Sequence, residues 1–419
     1  MDASRLMVDA VALLWPELPD EPDGFAAAVL VALRELERAR REDRAAEPTA
    51  RQGVLDTFAT RPAALARLQE VSARLVEAEL ERGLESMIPG AVEHERYVEI
   101  PVYYATDRAP TDTTAPDERY GGERGGLSFG VARVSIPDDH RMGALEKPRL
   151  WRLEFRQDPD KHVVLLGLEE LDDLGFAARA KAATGGGDVL LFVHGYNVGF
   201  ADAARRAAQL AYDLNFAGVP MLYSWPSRAR TAAYLVDQNN SMWTHGHFMR
   251  FLRLVLDGLG AARVHALAHS MGNRVLTDGL AALGPDRMAP LGQVVFAAPD
   301  VDAGVFEQLA AVFAGRAARC TLYASDNDRA LWASKGLVDA PRAGQAGAGI
   351  LVVDGVDTVD ASELDTGLLG HSYYGDRTRV LSDLFSLIRH GLPPGERFGM
   401  RGRTNAAGRG YWLFSPQAD

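Results

Sequence analysis

The stretch Ala268-His269-Ser270-Met271-Gly272 places a serine between a strand-like run and a helix-like run. Residues 263–268 are short and largely apolar, as in a buried parallel strand, and residues 273–280 carry apolar side chains at helical spacing. The pattern predicts a sharp strand-to-helix turn that strains the backbone of Ser270 and tolerates only small residues two positions before and after it. Ala268 stands where the usual G-x-S-x-G pattern has its first glycine. A pattern of only five residues also fits an ordinary helix N-terminus, so the hypothesis that Ser270 is a nucleophile needs support from the rest of the chain.

The composition argues against several classes of function. With 419 residues, 47% of them apolar, the chain can form two or three domains around a large core. A net charge of -12 argues against a nucleic acid or an anionic membrane as partner, since no cluster of lysine and arginine offsets it. The single cysteine, Cys320, excludes an intrachain disulfide and a cysteine-rich metal site, and its apolar neighbours predict a small buried side chain.

Targeting segments are not predicted. The most apolar N-terminal run, residues 7–15, is interrupted by Asp9 and followed by an acidic stretch, which is not the pattern of a signal peptide. No run reaches the roughly 18 apolar residues that a membrane-spanning helix needs. We therefore expect a cytoplasmic protein without a membrane span, and the Ala/Arg/Gly-rich composition suggests a bacterial source.

Residues 1–92 are predicted to form an all-helical N-terminal domain. Apolar side chains recur at helical spacing in residues 25–36 and again in residues 65–78, with Pro62 in a first turn. Pro48 and Gly53 predict a break inside this region. The region contains no set of residues suited to catalysis or ligand binding, so we expect its apolar faces to bind a protein partner or a second copy of the chain.

From Tyr97 onward the pattern becomes that of an α/β domain, predicted for residues 93–419. Three antiparallel edge strands come first, and a Gly/Pro/Asp-rich loop at 109–126 separates the first two. Strands and helices then alternate, which predicts a mostly parallel sheet with helices on both faces and chemistry at the carboxyl ends of its strands. The edge strands are predicted at 97–104, 127–136 and 150–155, the later strands at 189–193, 220–225, 263–268, 294–298, 320–324 and 350–353, and the helices at 201–215, 243–259, 273–280, 305–313 and 380–388.

A nucleophilic serine needs a base and donors for the oxyanion, and the sequence offers both. His194-Gly195-Tyr196-Asn197 follows the first parallel strand, where a His-Gly turn typically lends the next backbone N–H to an oxyanion hole. We assign the oxyanion hole to the N–H groups of Tyr196 and Met271. His194 either stiffens its loop or takes part directly in the reaction. As the base we assign His371, after the last predicted strand, because nucleophile, acid and base follow one another in this order in one common arrangement.

The acid should follow the predicted strand at 320–324, where Ser325-Asp326-Asn327-Asp328 offers two carboxylates. We prefer Asp328, since Asp326 lies so close to the strand end that a turn or cap role suits it equally well. Asp300 and Asp302, after the preceding strand, are the alternatives. Their structural role would be to cap the helix that begins near residue 303.

The other histidines are poorer candidates. His265 and His269 cannot reach the Ser270 hydroxyl, because residues beside the nucleophile on so sharp a turn point away from it. His245 and His247 have a spacing that hints at a metal, but no third ligand stands near them in sequence. We therefore predict no metal site.

Four motifs together resemble those of the α/β-hydrolase superfamily, namely residues 192–197, 223–227, 268–273 and 370–373. More narrowly, residues 97–395, with Val102-Tyr103-Tyr104-Ala105-Thr106-Asp107-Arg108 ahead of the sheet, resemble a bacterial group of esterase/lipase-like α/β-hydrolases without an assigned substrate. The resemblance implies an α/β-hydrolase fold, a triad of Ser270, Asp328 and His371, and no cofactor. Residues 1–92 lie outside it.

These observations predict a serine hydrolase that cleaves a carboxylic ester through an acyl-enzyme. Residues 227–244 mix charged, polar and aromatic side chains and are placed to cover the site, so we expect a polar lid. Such a lid favours a short-chain ester, and next a thioester or lactone, over the long apolar substrates of a lipase. The alternative is a catalytically idle fold that acts as a binding or signalling module. The complete triad favours the enzyme, because idle relatives usually lose a member.

Overall fold

One mixed β-sheet carries the fold, and in the described residues four helices precede it along the chain. This computed structural model describes residues 3–15, 18, 24–43, 45–82, 88–146, 157–284, 291–326, 340–363 and 374–414. The strands are β1 (Val92–Glu93), β2 (Tyr97–Pro110), β3 (Tyr120–Pro137), β4 (Val164–Leu171), β5 (Asp188–Val193), β6 (Gly218–Ser224), β7 (Val264–His269), β8 (Leu291–Ala297), β9 (Arg319–Ala324), β10 (Val356–Asp360), β11 (Met400–Thr404) and β12 (Gly410–Phe414). The helices are α1 (Ala3–Leu14), α2 (Phe25–Glu42), α3 (Glu47–Ala59), α4 (Pro62–Arg82), α5 (Asp173–Thr184), α6 (Phe200–Asp213), α7 (Tyr234–Trp243), α8 (His245–Arg253), α9 (Gly272–Ala282), α10 (Ala303–Phe313) and α11 (Tyr374–His390).

The strand order places Ser270 at a crevice of the sheet. The order is β11-β12-β10-β9-β8-β7-β5-β6-β2-β3-β4, with β1 paired to β2. Neighbours from β12 to β2 run parallel, whereas β3, β4 and β11 add antiparallel pairs at the two edges, which confirms the predicted mostly parallel sheet. The strands β6 and β7 lie on opposite sides of β5. Such a reversal opens a crevice at the carboxyl ends, and Ser270 follows β7 at this edge.

Each face of the sheet has its own apolar core, which explains the continuous apolar sequences of the parallel strands. Along β5, Leu191 and Val193 enter one core, while Leu190 and Phe192 enter the other. Helices α5, α7, α8, α9 and α10 cover the first face, and α6 and α11 cover the second. The predicted arrangement of helices on both faces is confirmed.

The N-terminal helices have a core of their own and also join the sheet. Within that core, Phe25 meets Phe58 edge to face, with 5.6 Å between the ring centroids. Leu6 of α1 and Val76 of α4 belong instead to the core that α11 shares with the sheet. The helical region therefore lies against the α/β part of the chain.

Two polar contacts fix this docking on the segment that follows α11. Arg51 Nε lies 2.8 Å from Glu396 Oε2, and both side chains are largely buried. Gln69 Nε2 donates to Gly395 O at 3.1 Å. We call these contacts, between Arg51 and Glu396 and between Gln69 and Gly395, the joint between the N-terminal helices and the segment after α11.

Several boundaries differ from those predicted. The break predicted at Pro48 and Gly53 lies just before Pro48, between α2 and α3: Pro48 is in the first turn of α3, where a missing N–H costs nothing, and Gly53 lies inside α3, facing open space. The predicted strand at 350–353 is wrong, since these residues are unpaired and β10 begins at Val356. The strand predicted at 150–155 lies outside the described residues.

The hairpin of β2 and β3 is longer than predicted. Pairing continues to Pro110 opposite Tyr120, so the loop predicted at 109–126 shrinks to 111–119. A Cβ on Gly125 would lie 2.7 Å from Ala109 Cα, so glycine allows the two strands to approach here.

The helix predicted at 243–259 is preceded by another, because α7 already begins at Tyr234. No described helix has both the length and the apolar character needed to cross a membrane.

Candidate active site

Ser270 lies on the turn between β7 and α9. Its φ is 50°, in the left-handed region that is costly for a residue with a side chain. Hydrogen bonds hold it there: its N–H donates to Ala297 O at 2.9 Å, and its carbonyl accepts from the N–H groups of Asn273 and Asp300, both at 3.1 Å. The predicted strand-turn-helix context and the strained backbone are confirmed.

Two glycines allow the loop after β5 to lie against this turn. A Cβ on Gly272 would stand 2.3 Å from His194 O, so only glycine fits at this position. A Cβ on Gly195 would lie 2.9 Å from His269 Nδ1 and 3.1 Å from Ser270 Cβ. The backbone of the His-Gly turn therefore passes directly beside Ser270.

The two residues predicted to form an oxyanion hole lie on the two segments that meet at Ser270. Met271 caps the N-terminus of α9, where backbone N–H groups have no partner within the helix and the macrodipole favours negative charge. Tyr196 follows Gly195, and its hydroxyl donates to Arg230 O at 3.2 Å. The ring of Tyr196 packs edge to face on that of Tyr234. This placement is compatible with the predicted role of both residues.

His194 is a buried part of the loop framework. Its Nδ1 lies 2.8 Å from Gly195 O, and its ring stacks on Trp225, whose indole N–H donates to His194 O at 2.8 Å. Burial, assisted by the charge of Arg108, lowers the pKa of His194 to about 3, so the imidazole is neutral at pH 7. These contacts support the stiffening role over direct chemistry.

A buried arginine, to which the sequence analysis gave no role, ties the surrounding loops together. Arg108 on β2 is 1% exposed, and burial lowers its pKa to about 10, so it stays charged at pH 7. All of its N–H groups have acceptors. Nε donates to Ser224 Oγ at 2.9 Å, Nη1 to Gly121 O at 3.1 Å and to Ser227 O at 2.8 Å, and Nη2 to Val198 O at 2.7 Å and to His194 Nε2 at 3.2 Å.

The segment 227–244 forms a turn followed by α7, and its exposed side is more apolar than predicted. Asp237 and Asn240 are buried, where Asp237 Oδ2 accepts from Ser227 Oγ at 2.6 Å and Asn240 Nδ2 donates to Pro226 O at 2.6 Å. The exposed side carries Leu235, Val236, Met242 and Trp243, which are 58%, 43%, 54% and 36% exposed. The exposed surface of the segment is mixed rather than polar, because Asp237 and Asn240 turn inward while Arg230 and Asn239 stay exposed beside the apolar side chains. The preference for short acyl chains rested on a wholly polar surface, so this mixed surface does not support it.

Asp300, one alternative for the acid, is buried and already paired. Tyr234 OH donates to Oδ2 at 2.8 Å, and Arg274 Nη2 and Arg342 Nε each lie 3.4 Å from Oδ1. Burial raises the pKa of Asp300, and the two arginines oppose that rise. The carboxylate therefore joins α7, α9 and the segment around residue 342.

The preferred acid and base, Asp328 and His371, lie outside the described residues. The strands before them are described, and β9 and β10 lie side by side, two and three positions from β7. Asp326 lies two residues after the end of β9, and its N–H donates to Ser362 Oγ at 2.9 Å. Asp302 caps α10 as its structural role predicts, since its Oδ1 accepts from Val305 N–H at 3.0 Å.

Of the other histidines near the sheet, His265 and His247 have polar partners. His265 lies near the start of β7, away from Ser270, and its Nδ1 accepts from Gln293 N–H at 3.1 Å. Burial, with the charge of Arg206, lowers the pKa of His269 to about 4. His247 Nδ1 lies 3.1 Å from the buried carboxylate of Asp107. In the part of the chain that the structure describes, no cluster of three or more His, Cys, Asp or Glu could hold a metal ion.

The sheet order, the strained serine turn and the helices on both faces define an α/β hydrolase. A family model described as "Alpha/beta hydrolase of unknown function (DUF900)" matches residues 177–390, and the chain belongs to this family. No curated protein matches the chain. A solved structure named AbyA5 Wildtype aligns with 86% of this chain and 84% of its own at 14% identity, but its TM-score of 0.27 is too low to carry an argument.

Proposed function

We propose that this chain is a serine hydrolase that cleaves a carboxylic ester through an acyl-enzyme, with Ser270 as the nucleophile. The observation that carries the proposal is the φ of 50° at Ser270, held by hydrogen bonds on both sides of the residue. Such strain costs on the order of 1–3 kcal/mol and clusters at functional sites, where the surroundings enforce it. The family is one of hydrolases and leaves the substrate open.

The reaction needs a base, an acid to orient it, and donors for the oxyanion. His371 takes the proton of Ser270 Oγ as the oxygen attacks the acyl carbon, and Asp328 holds the imidazole in the required tautomer. The carbonyl oxygen becomes an oxyanion that accepts hydrogen bonds from the N–H groups of Tyr196 and Met271. His371 then gives the proton to the departing alcohol. Water attacks the acyl-enzyme in the same way, which releases the acid and restores Ser270.

The order of the strands supports this assignment of the acid and the base. Asp328 follows β9 and His371 follows β10, and both strands run parallel to β7 through an unbroken series of parallel pairs. Residues that follow parallel strands leave the sheet at the same edge. The three proposed residues therefore follow strands that end on one side of the sheet.

A cleft beside Tyr196 is the proposed place for the substrate. It has a volume of about 360 Å³, and Arg228, Arg230 and Val236 contribute to its lining. Because the Tyr196 hydroxyl donates to Arg230 O, the cleft adjoins the proposed oxyanion loop. A lining of charged and apolar groups suits an ester with both polar and apolar parts, and thioesters and lactones share the same chemistry.

A fluorophosphonate probe tests the nucleophile directly. We expect mass spectrometry to place the label on Ser270 and on no other serine. Ser270→Ala should abolish both labelling and hydrolysis of p-nitrophenyl acetate at an unchanged melting temperature, and His371→Ala should lose nearly as much turnover. Ser128→Ala, a change on β3, is the matched control and should retain both.

Two results would contradict the proposal. Hydrolysis that survives in Ser270→Ala would move the nucleophile elsewhere. A folded wild-type protein that neither reacts with the probe nor turns over any ester, thioester or lactone would favour the idle fold as a binding module.

A further inference from the structure

The segment after β8 holds Ser270 from both sides. Ala297 O accepts from the Ser270 N–H at 2.9 Å, and the Asp300 N–H donates to Ser270 O at 3.1 Å. Between these two contacts Ala298 has a φ of 43°, which is costly for a residue with a side chain. A strained backbone persists only where the surrounding contacts enforce it, so the position of Ser270 depends on what fixes residues 297–300.

Asp300 anchors this segment. Its carbonyl oxygen accepts from Arg274 Nε at 2.7 Å, and Arg274 belongs to α9, the helix that follows Ser270. The Asp300 side chain is 0% exposed, and Oδ1 lies 3.4 Å from both Arg274 Nη2 and Arg342 Nε. The other carboxylate oxygen, Oδ2, accepts from Tyr234 OH at 2.8 Å.

The Tyr234 hydroxyl balances the attraction of the two arginines for the Asp300 carboxylate. Burial raises the pKa of Tyr234 to about 12, so the hydroxyl keeps its proton at pH 7 and donates a hydrogen bond. Without this donor, Oδ2 would be a buried acceptor without a partner, which is costly. The carboxylate should then turn towards the arginines, and the N–H of the same residue, which binds Ser270, should move with it.

The ring of Tyr234 contacts the other half of the candidate site. It packs edge to face on the ring of Tyr196, with 5.5 Å between the centroids and 70° between the planes. Tyr196 lies on the loop proposed to supply one oxyanion donor, and Met271 would supply the other from the Ser270 turn. Because the two donors lie on separate segments, a side chain that is linked to both segments sets the distance between them.

We propose that Tyr234 is a positioning residue, which holds the oxyanion loop and the Ser270 turn at the spacing that the reaction needs. Its hydroxyl acts on the turn through Asp300, and its ring acts on Tyr196. Asp300 then contributes to the site without being the acid. The inference rests on the function proposed for Ser270. Because Tyr234 begins α7, that helix takes part in the geometry of the site.

Replacing Tyr234 with phenylalanine tests the hydroxyl, since the ring remains. We expect kcat on p-nitrophenyl acetate to fall about tenfold while KM changes less than about twofold, because the substitution disturbs alignment, and a misplacement of about 1 Å can cost about 10²-fold. The rate at which a fluorophosphonate labels Ser270 should fall by a similar factor. Tyr234→Leu also removes the ring contact and should lose about a further tenfold in kcat.

Tyr323→Phe is the matched control, because it removes the same group from a similar environment. Tyr323 OH donates to the buried carboxylate of Asp383 at 2.5 Å, and its ring lies in the core on the opposite face of the sheet from Tyr234. We expect a comparable fall in melting temperature for both variants. At temperatures where both are folded, Tyr323→Phe should keep the kcat and the labelling rate of wild type.

A double variant shows whether the hydroxyl acts through Asp300. In an Asp300→Ala background there is no carboxylate to hold, so the further change Tyr234→Phe should alter kcat less than about twofold. If Asp300→Ala does not fold, the comparison of Tyr234→Phe with Tyr323→Phe decides.

Three results would overturn the inference in a wild-type protein that labels at Ser270. One is a Tyr234→Phe variant with the kcat and labelling rate of wild type. Another is an equal loss of kcat in Tyr323→Phe, and the third is an undiminished effect of Tyr234→Phe in the Asp300→Ala background. A folded wild type that neither labels nor hydrolyses esters would instead contradict the proposed function itself, and the inference with it.

Discussion

Replacing Arg108 with methionine should separate the loops that flank Ser270. The change removes the donors to three carbonyl oxygens, those of Gly121, Val198 and Ser227. Each buried acceptor left without a partner costs about 1–3 kcal/mol, so the low end of that range gives a loss of about 3 kcal/mol in the free energy of unfolding. We therefore expect a clear fall in the melting temperature.

The same substitution should reduce turnover at temperatures where the variant is still folded. Val198 and His194 bind Arg108 and lie on either side of Tyr196, so the proposed oxyanion donor is positioned partly by this arginine. Loss of one oxyanion donor typically lowers kcat by about 10²–10³. We expect roughly a hundredfold loss in kcat on p-nitrophenyl acetate, with Arg108→Lys intermediate because an ammonium cannot reach all the acceptors.

Thermal unfolding followed by circular dichroism, together with initial rates well below the transition, measures both effects. Arg119→Met is the matched control, because Arg119 pairs with Glu170 at the surface, where an ion pair is worth about 0–1 kcal/mol. An Arg108→Met variant with the melting temperature and kcat of wild type would refute the reasoning that this network positions the oxyanion loop.

Asp328→Asn should slow ester turnover far more than Asp300→Asn, because arginines already bind the Asp300 carboxylate; a larger kcat loss at Asp300 would move the acid to the earlier strand. His140→Gln should remove a pH-dependent part of the stability. Burial works to lower the pKa of His140, but the charges of Asp213 and Glu146 outweigh it and raise the pKa to about 10, so this stabilisation is complete below about pH 6.5 and is lost as the pH rises towards 10. Urea unfolding between pH 6 and 10 measures this, and parallel curves for wild type and variant would contradict it. Val31→Glu should weaken self-association through the N-terminal helices, since Val31 is 55% exposed on α2; light scattering gives the mass, and an unchanged oligomer would exclude this surface.

The parallel sheet could be predicted because β5 to β8 are apolar runs that each precede a helical pattern. The same signal failed at 350–353, where Ile350 and Val353 are buried but make no strand pairs. An apolar run indicates burial, and pairing depends on partners that lie far away in sequence. The strand β10 begins at Val356 and contains two aspartates, so its composition does not indicate a strand.

The serine turn could be predicted because tight backbone geometry restricts residue size at fixed positions. The network around Arg108 could not, since its members lie in separate segments and each is an unremarkable polar residue by itself. For the segment 227–244, prediction from the sequence failed for a third reason. Asp237, Asn240, Ser241 and Thr244 repeat at helical spacing and are all buried, so here the polar stripe of the helix faces inward. The usual rule, that the apolar side of a helix faces the core, therefore predicts the wrong buried side for α7.

The joint between the N-terminal helices and the segment after α11 constrains the order of events during synthesis. Arg51 and its partner Glu396 are 345 residues apart, so at the usual 5–20 residues per second the helices leave the ribosome roughly 20 to 70 s before their docking surface exists. Until α11 and the segment after it exist, the core that Leu6 and Val76 share with them is incomplete. We therefore expect an apolar surface to stay exposed to aggregation until α11 and the segment after it are translated, so folding in the cell should depend more on chaperones than folding of residues 93–419 alone.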